Sequence, residues 1–312
     1  MALRNRLTIL LGPRQTTRKS PAEARKHDML FSVIIPTCHR SELLAKCLDC
    51  LAPGKQAFAE AYEVIVTDNG LNSTAEQMIR ERYAWVRWFA GPGTSPAANR
   101  NNGAKHANGE WLVFTDDDCL PDAGWLQAYE KAMKGDATAL EGAIHPIGDT
   151  SRDLTECPVN TVGNYFWSAN IAVKKEVFFG LGGFDEGYTK PGHEDQDLKI
   201  RVEKVTAIPF VADSIVRHPV RQLTFFSALS RLPASNKHYS THVFKHREKP
   251  EYESLFSLVR SRVRGTAGLI WRSCRAGKFY SAILAVCNLC LLPYLCFRVF
   301  WVLPRQQARA SK

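Results

Sequence analysis

An α/β architecture is predicted: a mainly parallel sheet with helices on both faces, followed by a C-terminal helical segment associated with a membrane. Three observations predict it. Short runs rich in Val, Ile and aromatic residues alternate with helix-length segments from Phe31 to Met133, as in a chain of βα units. Three of these runs end in polar residues, Thr37, Asp68 and Asp116-Asp117-Asp118, where sheets of this kind gather their ligands. The net charge of +10 is not spread along the chain. No acidic residue follows Glu253 and ten Lys/Arg do, which leaves 31 basic against 31 acidic residues before that point.

Residues 1–28 are basic and unpatterned and read as a flexible arm without the long apolar core of a signal peptide. Phe31-Ser-Val-Ile-Ile-Pro36 reads as a buried strand, and Ser41 caps a helix running to about Leu51. Glu63–Thr67 is a second strand, Ser73–Tyr83 a helix, Val86–Ala90 a third strand and Pro96–Ala107 a helix with polar first turns. Trp111–Thr115 is a fourth strand, and Asp122–Met133 a helix after the Pro121 turn. A strand over Ala207–Val211 and a helix over Asp195–Glu203 complete the pattern.

The acid triplet carries the first chemical signal. Carboxylates crowded at a strand end repel one another unless positive charge lies among them, and hard oxygen ligands suit Mg²⁺ or Mn²⁺. The plain alternative is a polar turn whose acids face water. No G-x-G-x-x-G follows the first strand and no G-x-x-x-x-G-K-[ST] occurs anywhere, so neither a dinucleotide site nor a P-loop is supported. The neutral main body lacks the basic stripe of a nucleic-acid-binding domain. Nine cysteines, including Cys47/Cys50 and Cys287/Cys290, form no disulfide framework and fit a reducing cytosolic setting.

Seven stretches in order resemble the family 2 glycosyltransferases, whose nucleotide-sugar domain has the Rossmann-like GT-A fold. Ser32-Val-Ile-Ile-Pro-Thr-Cys-His-Arg40 resembles the opening strand S-V-V-I-P-T-Y-N-R, and Val64–Gly70 the second strand with its Asp-rich turn. Arg100-Asn101-Asn102-Gly103 with Gly109-Glu110 resembles R-N-x-G…G-E, and the Asp triplet stands at the D-x-D. Ser168–Val173, Gly182-Gly-Phe-Asp-Glu186 and His193-Glu-Asp-Gln-Asp-Leu198 resemble the acceptor-side motifs. The resemblance covers about residues 31–220. Cys38-His39 and Leu71-Asn72 depart from the family pattern beside the nucleoside pocket, and the Q-x-x-R-W motif of processive synthases is absent, which implies one sugar per encounter.

The resemblance implies nucleotide-sugar contacts from Thr37, Arg40, Asp68, Asn69, Arg100, Asp116 and Asp117, and metal ligands in Asp118 and His218. Asp68 would accept from a base N–H, which suits uracil, and Arg100 would make charge-assisted bonds on the nucleotide side or pair with an Asp. Asp116 would face the ribose or the metal's water shell. Asp117 would orient base or sugar, or remain a solvated turn acid. Asp195 would be the general base and Glu194 would bind acceptor hydroxyls, so the anomeric centre would invert; the alternative is a pair of helix-capping acids. His218 would otherwise be a loop histidine. Tyr165 and Trp167 would stack on a sugar or belong to the core.

Phe279–Phe297 carries no charge and at ~1.5 Å per residue is about as long as a bilayer core is thick. Leu258–Lys278 mixes apolar residues with six basic ones, as an amphipathic helix on anionic lipid does. The organisation expected is an arm over 1–28, a transferase domain over 29–222 and a membrane-attachment region over 223–312. Expected partners are a nucleotide-sugar donor, a UDP-sugar in first place, a lipid-linked or cell-surface glycan acceptor read by 145–165 and 185–193, and the cytoplasmic face of an anionic membrane. Nucleic acid is not among them, and no feature sets an oligomeric state. Two other classes share the pattern: a nucleotidyltransferase, which would release pyrophosphate, and a non-catalytic membrane-bound sugar- or partner-binding relative.

Overall fold

The computed structural model describes residues 29–71, 75–133 and 135–310; the arm expected over 1–28 lies outside them. The strands are β1 (Phe31–Thr37), β2 (Tyr62–Asp68), β3 (Arg87–Ala90), β4 (Trp111–Phe114), β5 (Leu120–Pro121), β6 (Ala139–Ile147), β7 (Thr155–Glu156), β8 (Ile171–Lys174), β9 (Phe210–Pro219) and β10 (Arg221–Gln222). Eight form one sheet in the order β3-β2-β1-β4-β8-β6-β9-β5, and β7 pairs with β10 separately. The first four strands are mutually parallel, β8 runs antiparallel to both its neighbours, β9 is parallel to β6, and β5 is antiparallel to β9.

Alternation along β1 builds a core on each face. Val33 and Ile35 meet Leu44 and Leu48 of the Ser41–Cys50 helix, Ile79 of Ala75–Arg82 and Trp125 of Trp125–Ala132. Ile34 on the opposite side joins Ala97 and Ala104 of Pro96–Lys105, Phe178 of Lys175–Gly180 and Leu198 of Glu194–Glu203. Helices therefore cover both faces, as the buried parallel half requires. Pro96–Lys105 begins where Ser95 accepts the Ala98 N–H at 3.0 Å and Pro96 occupies the first turn.

The mainly parallel sheet expected is present and becomes mixed beyond β4, because Ile171–Lys174 returns antiparallel between β4 and β6. Two expectations need correction. Ser41 is the first residue of its helix, and Arg40 occupies the cap position. The strand expected at Ala207–Val211 is Phe210–Pro219 instead, so His218 is a strand residue opposite Pro146. Exposed Ala212 and Asp213 break the apolar pattern there, and pairing with β6, shifted at Gly142/Ala143, carries the strand through.

After β10 the chain is helical: Phe225–Lys245, Leu255–Arg275, Phe279–Cys290, Leu292–Phe297, a π turn at Arg298–Val302, and Leu303–Ala310. Val243, Leu258, Leu295 and Val299 form a small third core.

Candidate active site

The carboxyl end of β4 delivers the acid triplet into a cage of cations. Arg40, just before the first helix, reaches Asp117 Oδ1 and Asp118 Oδ2 at 3.0 Å each. Thr37 at the end of β1 donates its hydroxyl to Asp117 Oδ2 at 2.7 Å. Burial pushes the Asp117 carboxyl up to about 7, against the pull of Arg40 and Thr37. Arg221 of β10 also holds Asp118 Oδ2.

Asp118 Oδ1 is buried and accepts no hydrogen bond among the described residues. His218 Nε2 lies 3.3 Å from it. The other ring nitrogen, Nδ1, is 2.8 Å from the Pro219 carbonyl. A carbonyl only accepts, so Nδ1 carries a proton, and Nε2 is the ring nitrogen turned toward the carboxylate. An imidazole nitrogen and a buried carboxylate oxygen so placed can hold a cation between them, and the carbonyl partner fixes the ring orientation as at metal-bound histidines. Cys119 Sγ falls within 4.8 Å of these ligand atoms, but burial first, with Asp116 and Asp118, raises its thiol well above the usual range. A protonated thiol is a poor ligand for a hard cation, so Asp118 and His218 are the fitting pair.

Arg100 connects this cage to the other half of the site. It is buried, with Nη2 2.8 Å from Asp116 Oδ1 and Nη1 3.2 Å from Glu194 Oε1. Burial opposes its charge, but the two carboxylates outweigh that and raise its pKa; Asp116 is lowered in turn, Arg100 overcoming desolvation. Asn101 beside it clamps the Gly182-Gly183 turn, donating to the Phe184 carbonyl at 2.8 Å and accepting its N–H at 2.9 Å. Gly183 has φ +68 and a Cβ there would meet Asn101 Oδ1 at 2.7 Å, so glycine is required.

Glu194 and Asp195 open the Glu194–Glu203 helix, following His193 at φ +76. Glu194 Oε2 accepts the Gly192 N–H at 2.7 Å, and Asp195 Oδ1 that of Gln196 at 2.8 Å. Burial first, and then the Glu194 charge, raises the Asp195 carboxyl to about 7. A carboxyl so placed exchanges a proton near neutrality.

Other sequence candidates have intramolecular duties. Asp68 Oδ1 accepts the Gly70 N–H at 2.8 Å. Asn69 donates to the Ser95 carbonyl at 3.2 Å and accepts from the Gly93 N–H at 2.9 Å, fixing the 91–95 loop. Tyr165 and Trp167 stack on each other, centroids 4.4 Å apart. Asn170 accepts from Trp125 Nε1 and Tyr129 O–H and donates to the Ala143 and Ser214 carbonyls, all at 2.7–2.8 Å, so it holds the sheet together.

Sequence reasoning missed Arg221, Cys157 and Glu141. Cys157 Sγ lies 3.8 Å from His218 Nδ1. Glu141 is buried and gathers the N–H groups of Asn164 and Tyr165, each at 2.7 Å, stabilising a loop in which Asn164 and Phe166 have positive φ. The one signal available was proximity of Arg221 to His218 along the chain; the others lie in unpatterned stretches.

The family model described as glycosyl transferase family 2 matches residues 32–179. Among curated relatives, validoxylamine A glucosyltransferase of Streptomyces hygroscopicus subsp. jinggangensis is 28% identical over 222 residues, covering 57% of this chain and 52% of the relative. A GalNAc(5)-diNAcBac-PP-undecaprenol beta-1,3-glucosyltransferase of Campylobacter jejuni is 31% identical over 131 residues, covering 40% of this chain and 42% of the relative. The matches thus span about half the length of these relatives. Among solved structures, a mannosyltransferase of Pyrobaculum calidifontis in complex with GDP-Man and Mn²⁺ is similar at TM-score 0.56 and 18% identity, covering 87% of each chain. S. aureus TarS 1-349 is similar at TM-score 0.52 and 15% identity, covering 83% of this chain and 90% of that one. These structures share the fold.

Proposed function

The chain belongs to glycosyl transferase family 2 through residues 32–179, and from this premise we propose that it moves a single sugar from a nucleotide-diphosphate sugar, a UDP-sugar in first place, to a lipid-linked or cell-surface glycan acceptor. The reaction inverts the anomeric centre and depends on Mn²⁺ or Mg²⁺. The observation that carries the reading is the buried Asp118 Oδ1 facing His218 Nε2 at 3.3 Å, with Arg100 joining this cluster to the helix that bears Asp195.

Asp118 and His218 would hold the cation, which when bound stabilises the charge growing on the leaving diphosphate. Arg40 and Arg221 sit on the acids from the solvent side, with side chains 40% and 43% exposed, free enough to turn onto phosphate oxygens. Thr37 and Asp117 anchor that end of the pocket through their mutual hydrogen bond. Asp68, at the end of β2, meets the base. Asp195, with its carboxyl near 7, takes the proton from the acceptor hydroxyl as that oxygen attacks opposite the diphosphate. Glu194, set by Arg100 and Gly192, orients the acceptor. The region after residue 222 attaches the enzyme to the cytoplasmic membrane face.

The test is nucleoside-diphosphate release from a panel of nucleotide sugars, with Mn²⁺, Mg²⁺ or EDTA. The expected result is release from one donor, abolished by EDTA and by Asp118→Asn. Release of pyrophosphate, or absence of metal-dependent nucleotide binding, contradicts the proposal.

A further inference from the structure

The last two long helices present an outward face that none of the described residues covers. Ala276–Lys278 is a tight connection, with Gly277 at φ +69, and the helices on either side pack together as a hairpin. In Leu255–Arg275 the inner positions Leu258, Thr266 and Ser273 are buried. On the outer side Phe256, Val263, Ala267, Ile270 and Cys274 recur at helical spacing, with Trp271, Arg260, Arg264 and Arg275 on the adjoining rows. The following helix repeats the design: Phe279, Val286, Cys290, Tyr294, Phe297 and Trp301 share one face and are exposed. Phe256, Trp271, Phe279, Phe297 and Trp301 are each more than half exposed. All charged residues of the hairpin, from Arg260 to Arg309, are cationic.

We infer that this hairpin docks in the plane of an anionic bilayer surface, without crossing it. Phe279–Arg309 is one of the described helices and long and apolar enough to span a membrane, with a mean hydropathy of 2.0, and 17% of its most apolar window is buried inside the fold. Its inner face, however, is tied by polar bonds to the helices beneath. Asn288 Oδ1 accepts from Asn236 Nδ2 at 2.7 Å and from Arg262 Nη2 at 3.2 Å, and Arg298 Nε donates to Ser240 Oγ at 2.8 Å. Leu295 and Val299 pack on Val243 and Leu258. A spanning pose would strip these bonds and leave Asn288 in hydrocarbon. An in-plane pose keeps them all, sinks the aromatic stripe into the acyl boundary and places arginines among anionic headgroups.

The hairpin turn also fixes the site relative to the lipid. Lys278 Nζ donates to the Thr150 carbonyl at 2.9 Å, and Asp153 accepts the Tyr280 and Ser281 N–H groups at 2.7 and 3.1 Å. From Asp153 the chain runs into β7, which pairs with β10 and its Arg221 on Asp118. The acceptor loop thus lies between the membrane-facing hairpin and the acid cluster. On the transferase reading, on which this point rests, the acceptor arrives from the plane of the membrane.

The test uses the full chain and a Trp271→Ser/Phe297→Ser/Trp301→Ser variant, all three being exposed positions distant from the catalytic acids in sequence. Flotation with phosphatidylcholine vesicles, alone or with a third phosphatidylglycerol, should show binding to the anionic vesicles only, reduced about tenfold or more in the variant. Nucleoside-diphosphate release in solution should be unchanged, while transfer to a lipid-linked acceptor in vesicles falls. Protease added to inverted membrane vesicles should remove a C-terminal tag together with the catalytic domain. Protection of the tag would establish a spanning helix and overturn the inference. So would equal binding to neutral vesicles, unchanged binding of the variant, or a dimer that the variant dissociates. Vesicle binding without turnover of any donor would defeat the transferase reading and leave the docking surface standing.

Discussion

Titrating Asp195 separates two roles that its position allows, proton acceptor and helix cap. Burial and the Glu194 charge raise its carboxyl from 3.8 to about 7. If it is the base, kcat/KM for the transfer should climb about tenfold per pH unit below neutrality and level off above about pH 7. The same shift fixes a stability effect. Between about pH 4 and about pH 7 the folded chain holds a proton that the unfolded chain has released, so stability falls as pH rises across this window and is constant above it. The roughly three-unit shift is worth ~4 kcal/mol at full strength, which solvent screening of this partly exposed carboxylate reduces to ~1–2 kcal/mol. Asp195→Asn removes the ionisation while keeping the size and the capping ability. It should lose about 10³-fold in turnover. It should also gain ~1–2 kcal/mol over the parent at about pH 8, and nothing near pH 4. A pH–rate profile at saturating metal, with urea unfolding at both pH values, measures each effect. A flat rate profile through neutrality, or an Asn variant that keeps activity near the parent's, refutes the base assignment.

Arg100→Ala should cost ~3–5 kcal/mol in urea unfolding, because Asp116 and Glu194 are left facing each other without their shared cation; Arg100→Lys should not restore the loss, since one ammonium does not reproduce the forked contacts. Arg221→Ala should leave stability within ~0.5 kcal/mol, as the side chain is 43% exposed, yet raise the donor KM about tenfold through loss of a charge-assisted contact. Unchanged donor kinetics would restrict Arg221 to a charge partner of Asp118. Asn170→Ala should lower the thermal midpoint strongly. It orphans the buried Trp125 and Tyr129 donors at ~1–3 kcal/mol each, and a variant of parental stability would contradict the pairing.

The sequence alone determined the parallel half of the sheet. Runs such as Val33-Ile34-Ile35 and Val64-Ile65-Val66 are buried on alternate faces, and local sterics and burial decide such segments within a few residues. It also determined where the acids would gather, since residues at the carboxyl ends of adjacent parallel strands converge whatever the loops do. Tertiary structure decided their partners. Arg100 meets Glu194 across 94 positions and Arg221 meets Asp118 across 103, distances over which no local pattern constrains contact. The strand role of His218 came from pairing with β6, which compensates for a polar stretch that periodicity reads as loop. Asn170 lies in the 168–173 stretch that resembles an acceptor-side motif, and its structural duty, four buried hydrogen bonds, became visible only in the fold. Likewise the composition of the tail marks it as apolar and basic, but only the bonds made by Asn288 and Arg298 decide which face of its helices is left uncovered by the described residues, because a helix's free side is defined by what covers the other.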